Sequence, residues 1–258
     1  MDGSPCQRTR GKNMHRFFVE PSGIDEAQIS IRSPEDRKHM LKVLRMRVGD
    51  EIEVSDSLKF EYVARIVAID SDEIRATILK KHQFQREPKL QTTLYQAIPK
   101  QGKMDVIIQK TVELGVTKLI PVLTERSIAS GESLSGSKLE RWRKVAQEAG
   151  KQCKRGFIPA IGPGVSFQEM LPQFSEHDMV LFPYEQETER TLKAVLRTAS
   201  ESPQRVAILI GPEGGFTDKE AAAVEAAGGL PVTLGKTILR TETAGPAALA
   251  MVMYELEL

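Results

Sequence analysis

A chain of 258 residues, 40% hydrophobic and 28% charged, is long enough for one or two domains with a sizeable core and has the composition of an ordinary globular protein. No apolar run approaches the roughly 18 to 20 residues of a membrane span, and no charged-then-apolar leader opens the chain, so a cytoplasmic protein is expected. The net charge of +1 hides an asymmetry: residues 99–160 carry 12 Lys or Arg against 6 Asp or Glu and residues 161–258 carry 7 against 14, so the middle of the chain suits a polyanion.

Residues 1–13 are polar and aperiodic and precede a second methionine, Met14; they read as an extension outside the fold. From 16 to about 79 the pattern is of short strands, 16–19, 51–55, 61–69 and 73–79, several alternating polar with apolar as half-buried strands do. A short helix near 35–43 interrupts them, and Asp56-Ser57 and Asp70-Ser71-Asp72 supply turns. A small barrel-like β domain is expected over 14–84, and the polar stretch 82–89 with Pro88 reads as a linker.

Beyond the linker strands alternate with helices: 92–98 then 104–114, 118–123 then 138–153, 178–183 then 188–199, 206–210 then 218–227, and 232–234 then 246–256. This order predicts a mostly parallel sheet covered by helices on both faces, an α/β domain over 90–258. Ser137 with Glu140 and Thr217 with Glu220 have capping-box spacing, and Gly115 sits where a helix C-cap belongs. The last helix carries an almost continuous apolar run, 247–253, more than one sheet face would cover.

Two cysteines, Cys6 and Cys153, cannot form a disulfide framework or a four-ligand zinc site. None of His15, His39, His82 and His177 has a partner at metal-ligand spacing, so no metal is expected.

Two segments share one grammar, an apolar strand, a turn of Gly, Pro and polar residues, then an Ala-rich helix: 208–217 (ILIGPEGGFT) and 234–244 (LGKTILRTETA). Such turns at the carboxyl ends of neighbouring strands are where open α/β sheets bind small ligands. The first is neither a Walker loop nor a dinucleotide fingerprint, and Glu213 in place of a basic residue disfavours a polyphosphate.

Gly211-Pro212-Glu213-Gly214-Gly215 together with Leu239-Arg240-Thr241-Glu242-Thr243-Ala244 resembles the cofactor-binding signature of the RsmE family, methyltransferases of uridine N3 in 16S ribosomal RNA. Agreeing pieces run along the chain: 14–18 (MHRFF), 39–50 (HMLKVLRMRVGD), Lys103-Met104-Asp105, 109–115 (QKTVELG), Glu125-Arg126-Ser127 and Arg141-Trp142. The resemblance implies a SPOUT-type methyltransferase domain ending in a deep trefoil knot, a PUA-like RNA-binding β domain, S-adenosylmethionine as cofactor, a homodimer formed by the methyltransferase half, and 16S rRNA or the small ribosomal subunit as partner. Two positions depart from the family pattern, Lys151 where Glu is usual and Thr237 where Arg is usual.

Cofactor contacts are expected from three loops: Phe182, Tyr184 and Glu185; Gly211, Pro212, Glu213, Gly214 and Gly215; and Leu234, Gly235, Ile238, Leu239, Arg240 and Thr243. Leu181, Leu234, Ile238 and Leu239 would wall an adenine. Arg240 is the candidate for stabilising a developing uracil anion, and Glu242 would accept the N3 proton if burial raised its pKa. The alternative for both is that they orient each other or cap the last helix. RNA contacts are expected from His15, Arg16, Phe17, Arg45, Lys100, Lys103, Arg126, Arg141, Gln152 and Arg155, with burial the competing role for Phe17. Two other functions stay open, a methyltransferase of another rRNA or tRNA nucleotide and a non-catalytic RNA-binding assembly factor.

Overall fold

The computed structural model describes residues 14–100, 102–127, 136–199 and 203–257. The expected extension 1–13 lies outside them. The chain divides into two compact units, Met1–Gln85 and Arg86–Leu258.

The first unit is a five-stranded sheet: β1 (Arg16–Phe18), β2 (Gln28–Ile31), β3 (Glu51–Ser55), β4 (Phe60–Ile69) and β5 (Ile74–Gln83), in the order β1-β3-β4-β5-β2. All pairs are antiparallel except β1 with β3. Period-2 alternation decides what is inside: Ile52 and Val54, Ala64 and Ile66, and Ile74 and Ala76 are buried around Phe17, Ile29 and Met40. Helix α1 (Pro34–Lys38) opens on a Ser33 cap with Pro at its start, and a wider turn, His39–Val43, continues it to Arg45, whose φ is 54°. Strand β2, QISI, is not among the strands expected from the sequence.

The second unit is a parallel sheet built from β6 (Gln91–Ala97), β7 (Lys118–Leu123), β8 (Ala160–Ile161), β9 (Val165–Ser166), β10 (Met179–Pro183), β11 (Arg205–Ile210) and β12 (Leu230–Val232). Their order is β12-β10-β11-β6-β7-β8, with β9 also on β7, and every pairing is parallel. Strands β6, β7, β10 and β11 each feed two cores. Val206, Ile208 and Ile210 of β11 point into one, with helices α2 (Lys103–Glu113), α3 (Gly136–Gln152), α5 (Leu192–Thr198) and α7 (Thr241–Leu256). Ala207 and Leu209 point into the other, with α4 (Phe167–Met170), the turn Leu171–Glu176 and α6 (Asp218–Ala226). Burial on both faces is why these strands read as unbroken apolar runs.

Three boundaries differ from expectation. Helix α3 runs from Gly136, so Ser137 lies inside its first turn rather than at its cap. The stretch 156–177, which carries no strong periodicity, holds β8, β9, α4 and a short helical turn. Helix α7 begins at Thr241 and not at 246, with Pro246 inside it at the expense of the hydrogen bond an N–H there would have given the Glu242 carbonyl. Glu242 and Thr243 therefore sit in a helical first turn, where the helix dipole favours a carboxylate. The capping box at Thr217 and Glu220 is present, and Gly115 follows α2 with a φ of 102°.

Candidate active site

Strands β12, β10 and β11 are neighbours, so the loops leaving their carboxyl ends cluster. The exits of β10 and β12 enclose a cavity of about 520 Å³, lined by Pro183–Glu185, Glu187, Thr188, Thr191, Val232–Leu239 and Ala244. Of the expected cofactor residues it brings together Tyr184, Glu185, Leu234, Gly235, Ile238 and Leu239. Ile238 is 84% exposed, a large apolar side chain held open on the cavity wall. Thr233 accepts an N–H from Gly235 and donates to its carbonyl, which holds the turn that Gly235 makes at a φ of 147°.

The Gly-rich turn is a neighbour of this cavity and not part of its wall. Gly211 has the Phe216 ring against it, at 2.8 Å from where a Cβ would stand, and its carbonyl accepts the Thr241 hydroxyl at 2.6 Å. Thr241 in turn accepts from the buried Gln96 amide at 2.9 Å. This chain joins β6, the turn after β11 and the start of α7. Gly215 alone in the turn has a left-handed φ, 66°, and a Cβ there would strike the Glu185 carboxylate. Gly214 has neither constraint, contrary to the expectation from its sequence context. The Arg126 guanidinium donates to the Gly214 and Phe216 carbonyls, at 2.8 and 3.2 Å, and Glu220 accepts the Glu125 N–H, so the loop after β7 braces the turn.

Glu213 points away from the cavity, to Lys103. The Lys103 ammonium lies 2.9 Å from Glu213 Oε1 and 3.2 Å from Glu242 Oε2. Lys100 adds its backbone N–H to Glu213 at 3.1 Å. Partial burial pushes the Glu213 carboxyl up, but Lys103 and the backbone donors outweigh it and leave the pKa below its ordinary value. For Glu242 its own backbone N–H at the start of α7 is the main cause of a lowered pKa; desolvation opposes this and Lys103 adds to it. The condition under which Glu242 would serve as base, a pKa raised by burial, is not met. Glu242 pairs with Lys103 instead of Arg240, whose exposed side chain makes neither a hydrogen bond nor an ion pair among the described residues.

Other expected residues are placed as follows. Phe182 is 0% exposed, stacked on Tyr184 and edge-on to Phe216, so only its backbone is near the loops, and Leu181 is core. Pro212 is buried, while Thr243 is exposed on α7 outside the cavity lining. Arg16, only 4% exposed, pairs with Glu61 and Glu53, and Phe17 fills the β core, so neither is an RNA contact. Arg155, 5% exposed, is bound by Glu87 and donates to the Val112 and Val116 carbonyls at 3.0 Å, which corrects its assignment to RNA as well. His15, Arg45, Lys100, Arg126, Arg141 and Gln152 are exposed, Arg141 in an ion pair with Asp105. Sequence reasoning missed Gln96, Glu187 and Thr188 at the site, since none belongs to a recognisable spacing.

A family model for an RNA methyltransferase domain matches residues 85–253, and one for an RNA methyltransferase PUA domain matches residues 33–79. Fold and site thus define the class, an RNA methyltransferase with a PUA domain. The Ribosomal RNA small subunit methyltransferase E of Bacillus subtilis is 32% identical over 251 residues, 95% of this chain and 98% of its own. The solved Ribosomal RNA small subunit methyltransferase E of Neisseria gonorrhoeae, bound to S-adenosyl methionine, is 31% identical with a TM-score of 0.82, over 93% of this chain and 97% of that one. A Legionella pneumophila protein solved with bound cofactor SAM is 29% identical with a TM-score of 0.82, over 94% and 98%. The chain belongs to the ribosomal RNA small subunit methyltransferase E family.

Proposed function

We propose that this protein transfers a methyl group from S-adenosylmethionine to N3 of a uridine in 16S ribosomal RNA. The observation that carries the reading is the cavity beyond β10 and β12, next to an uncommitted guanidinium at the start of α7. Its volume is that of a small-molecule site. Leu234, Ile238 and Leu239 are suitable walls for an adenine, and Glu185 and Glu187 suit a ligand bearing an ammonium and a sulfonium better than a polyphosphate. When bound, S-adenosylmethionine supplies an electrophilic methyl group. The cavity residues hold the donor against the target, and alignment of this kind is worth about 7 to 11 kcal/mol. Arg240 offers a permanent charge to the uracil imide as its proton leaves to solvent.

The same reading includes the SPOUT trefoil knot in 90–258, a PUA-like RNA-binding domain in 14–84, and an extension at 1–13. Support for the knot is the close approach of two exits: Thr233 donates its N–H to the Arg190 carbonyl and accepts that of Leu192. A homodimer through the methyltransferase half is supported by Met251 and Tyr254 of α7, exposed although that helix is largely apolar. The small ribosomal subunit in the cytoplasm is the proposed setting; no helix of the described residues is long and apolar enough to cross a membrane. Thr237 on the cavity wall, where the family usually has Arg, favours a second reading, another rRNA or tRNA nucleotide. Nucleoside mass spectrometry of 16S rRNA from cells with and without the gene tests both. Loss of 3-methyluridine from 16S rRNA is expected, and loss of a different modified nucleoside would overturn the first reading for the second.

A further inference from the structure

A guanidinium stabilises a developing anion only if no carboxylate already neutralises it. Arg240 and Glu242 are two residues apart at the start of α7, and Glu242 is the acidic group that lies near Arg240 there. No direct ion pair joins them, although Arg240 still lowers the Glu242 pKa through space. Lys103, the first residue of α2, hydrogen-bonds Glu213 of the Gly-rich turn at 2.9 Å and lies 3.2 Å from Glu242 Oε2 in an ion pair without hydrogen-bond geometry. The Lys100 N–H also donates to Glu213, at 3.1 Å from Oε1 and 3.3 Å from Oε2. The ammonium thus collects both carboxylates that the turn after β11 and the first turn of α7 bring to this end of the sheet.

We infer that Lys103 is a positioning residue: by sequestering Glu242, and with it Glu213, it keeps the Arg240 guanidinium out of a direct ion pair and available to the uracil imide. It acts through Glu242 and does not itself touch the reacting atoms. The inference rests on the role given to Arg240 above and adds the reason that Arg240 is available. Lys103 is then not chiefly an RNA phosphate contact, because its charge is already committed twice. An arginine at this position would preserve the arrangement, since a guanidinium fork spans two carboxylates.

The test is a rescue. Single-turnover methyl transfer, at saturating RNA and S-adenosylmethionine, is measured for the full-length wild type, Arg240→Ala, Lys103→Met, Lys103→Arg and the double variant Lys103→Met with Glu242→Gln. Freed from Lys103, Glu242 turns to Arg240, so Lys103→Met should lose about tenfold or more in rate, part of what removing a preorganised donor costs. Lys103→Arg should keep most of the rate. The double variant should regain at least half of the lost rate on a logarithmic scale, because a neutral glutamine cannot discharge Arg240. A double variant no faster than Lys103→Met overturns the inference, whether Lys103 serves RNA or stability or Glu242 is the base. A Lys103→Met variant with the wild-type rate overturns it also. Circular dichroism reports folding, and the comparison of Lys103→Arg with the double variant stands even if Lys103→Met is poorly folded. If Arg240→Ala itself keeps the wild-type rate, the reading of the site fails; if Arg240→Ala is slow and no rescue occurs, only the role of Lys103 fails.

Discussion

Arg240 and Gly215 are the residues on which the site can be tested most directly. Arg240→Ala should lower the single-turnover rate by about 10² to 10³ while leaving S-adenosylmethionine affinity, read by calorimetry, nearly unchanged, since its charge matters most when the imide becomes anionic. Its side chain makes no ion pair among the described residues, so thermal stability should barely move. Gly215→Val combines a left-handed φ of 66° with a collision against the Glu185 carboxylate. It should cost about 1 to 3 kcal/mol in strain and displace a cavity residue, weakening cofactor binding in the same titration. Gly214→Val meets only ordinary contacts with Arg126, 3.5 Å away, and should be the milder change, an order that equal affinities for the two variants would refute. Three glycines in one turn look alike in sequence; which of them is constrained depends on φ and on what stands opposite, and neither is encoded locally.

At the scale of elements, the joint between Arg155 and Glu87 shows how a basic run is misread. Residues 151–155 look like an RNA-binding stretch, yet Arg155 is inserted beneath the carboxyl end of α2, bound to two carbonyls there and to Glu87. Arg155→Ala leaves the half-buried Glu87 carboxylate with the Gly156 N–H but without its guanidinium, so it should cost about 1 to 3 kcal/mol in urea unfolding and not change the salt dependence of RNA binding. The edge of β10 carries a second such case. His177 sits at 3.1 Å from the Tyr95 hydroxyl, and burial, reinforced by Arg205 and Lys118, lowers its pKa below the ordinary 6.5. A histidine held neutral in the fold takes up its proton more readily when unfolded. Its contribution is therefore present above about pH 6.5 and is lost as pH falls through the folded pKa. Replacing His177 with Gln should flatten the decline of stability below pH 6.5, measured by unfolding at stepped pH.

For the molecule as a whole, charge distribution and the exposed part of α7 set two expectations. Lys100 and Arg141 remain at the surface of a unit whose middle is basic. Replacing both with Ala should reduce the slope of log affinity for 16S rRNA against log salt by about 2, one for each phosphate contact, without altering cofactor affinity. Replacing Met251 and Tyr254 with Lys should convert a dimer to a monomer in light scattering, since both lie on the uncovered side of α7. A monomer already in the wild type would remove the proposed dimer.

Alternation of β and α segments, two-sided burial of the parallel strands and the location of ligand loops at their carboxyl ends were legible in the sequence, because periodicity and glycine-rich turns report local backbone demands. The family signature added the chemistry, RNA methyl transfer. What only the tertiary structure decided is which charges are used up. Arg16, Arg155 and Lys103 have the same formal charge as Arg45 and Arg240, but the first three meet carboxylates from residues 37 to 139 positions away in sequence, at Glu53, Glu61, Glu87, Glu213 and Glu242. Ion pairing depends on separation in space, which no local pattern records, so the sequence determined where the site lies while the fold determined that Arg240, like Lys236 on the cavity wall, is a cation without an ion-pair partner among the described residues.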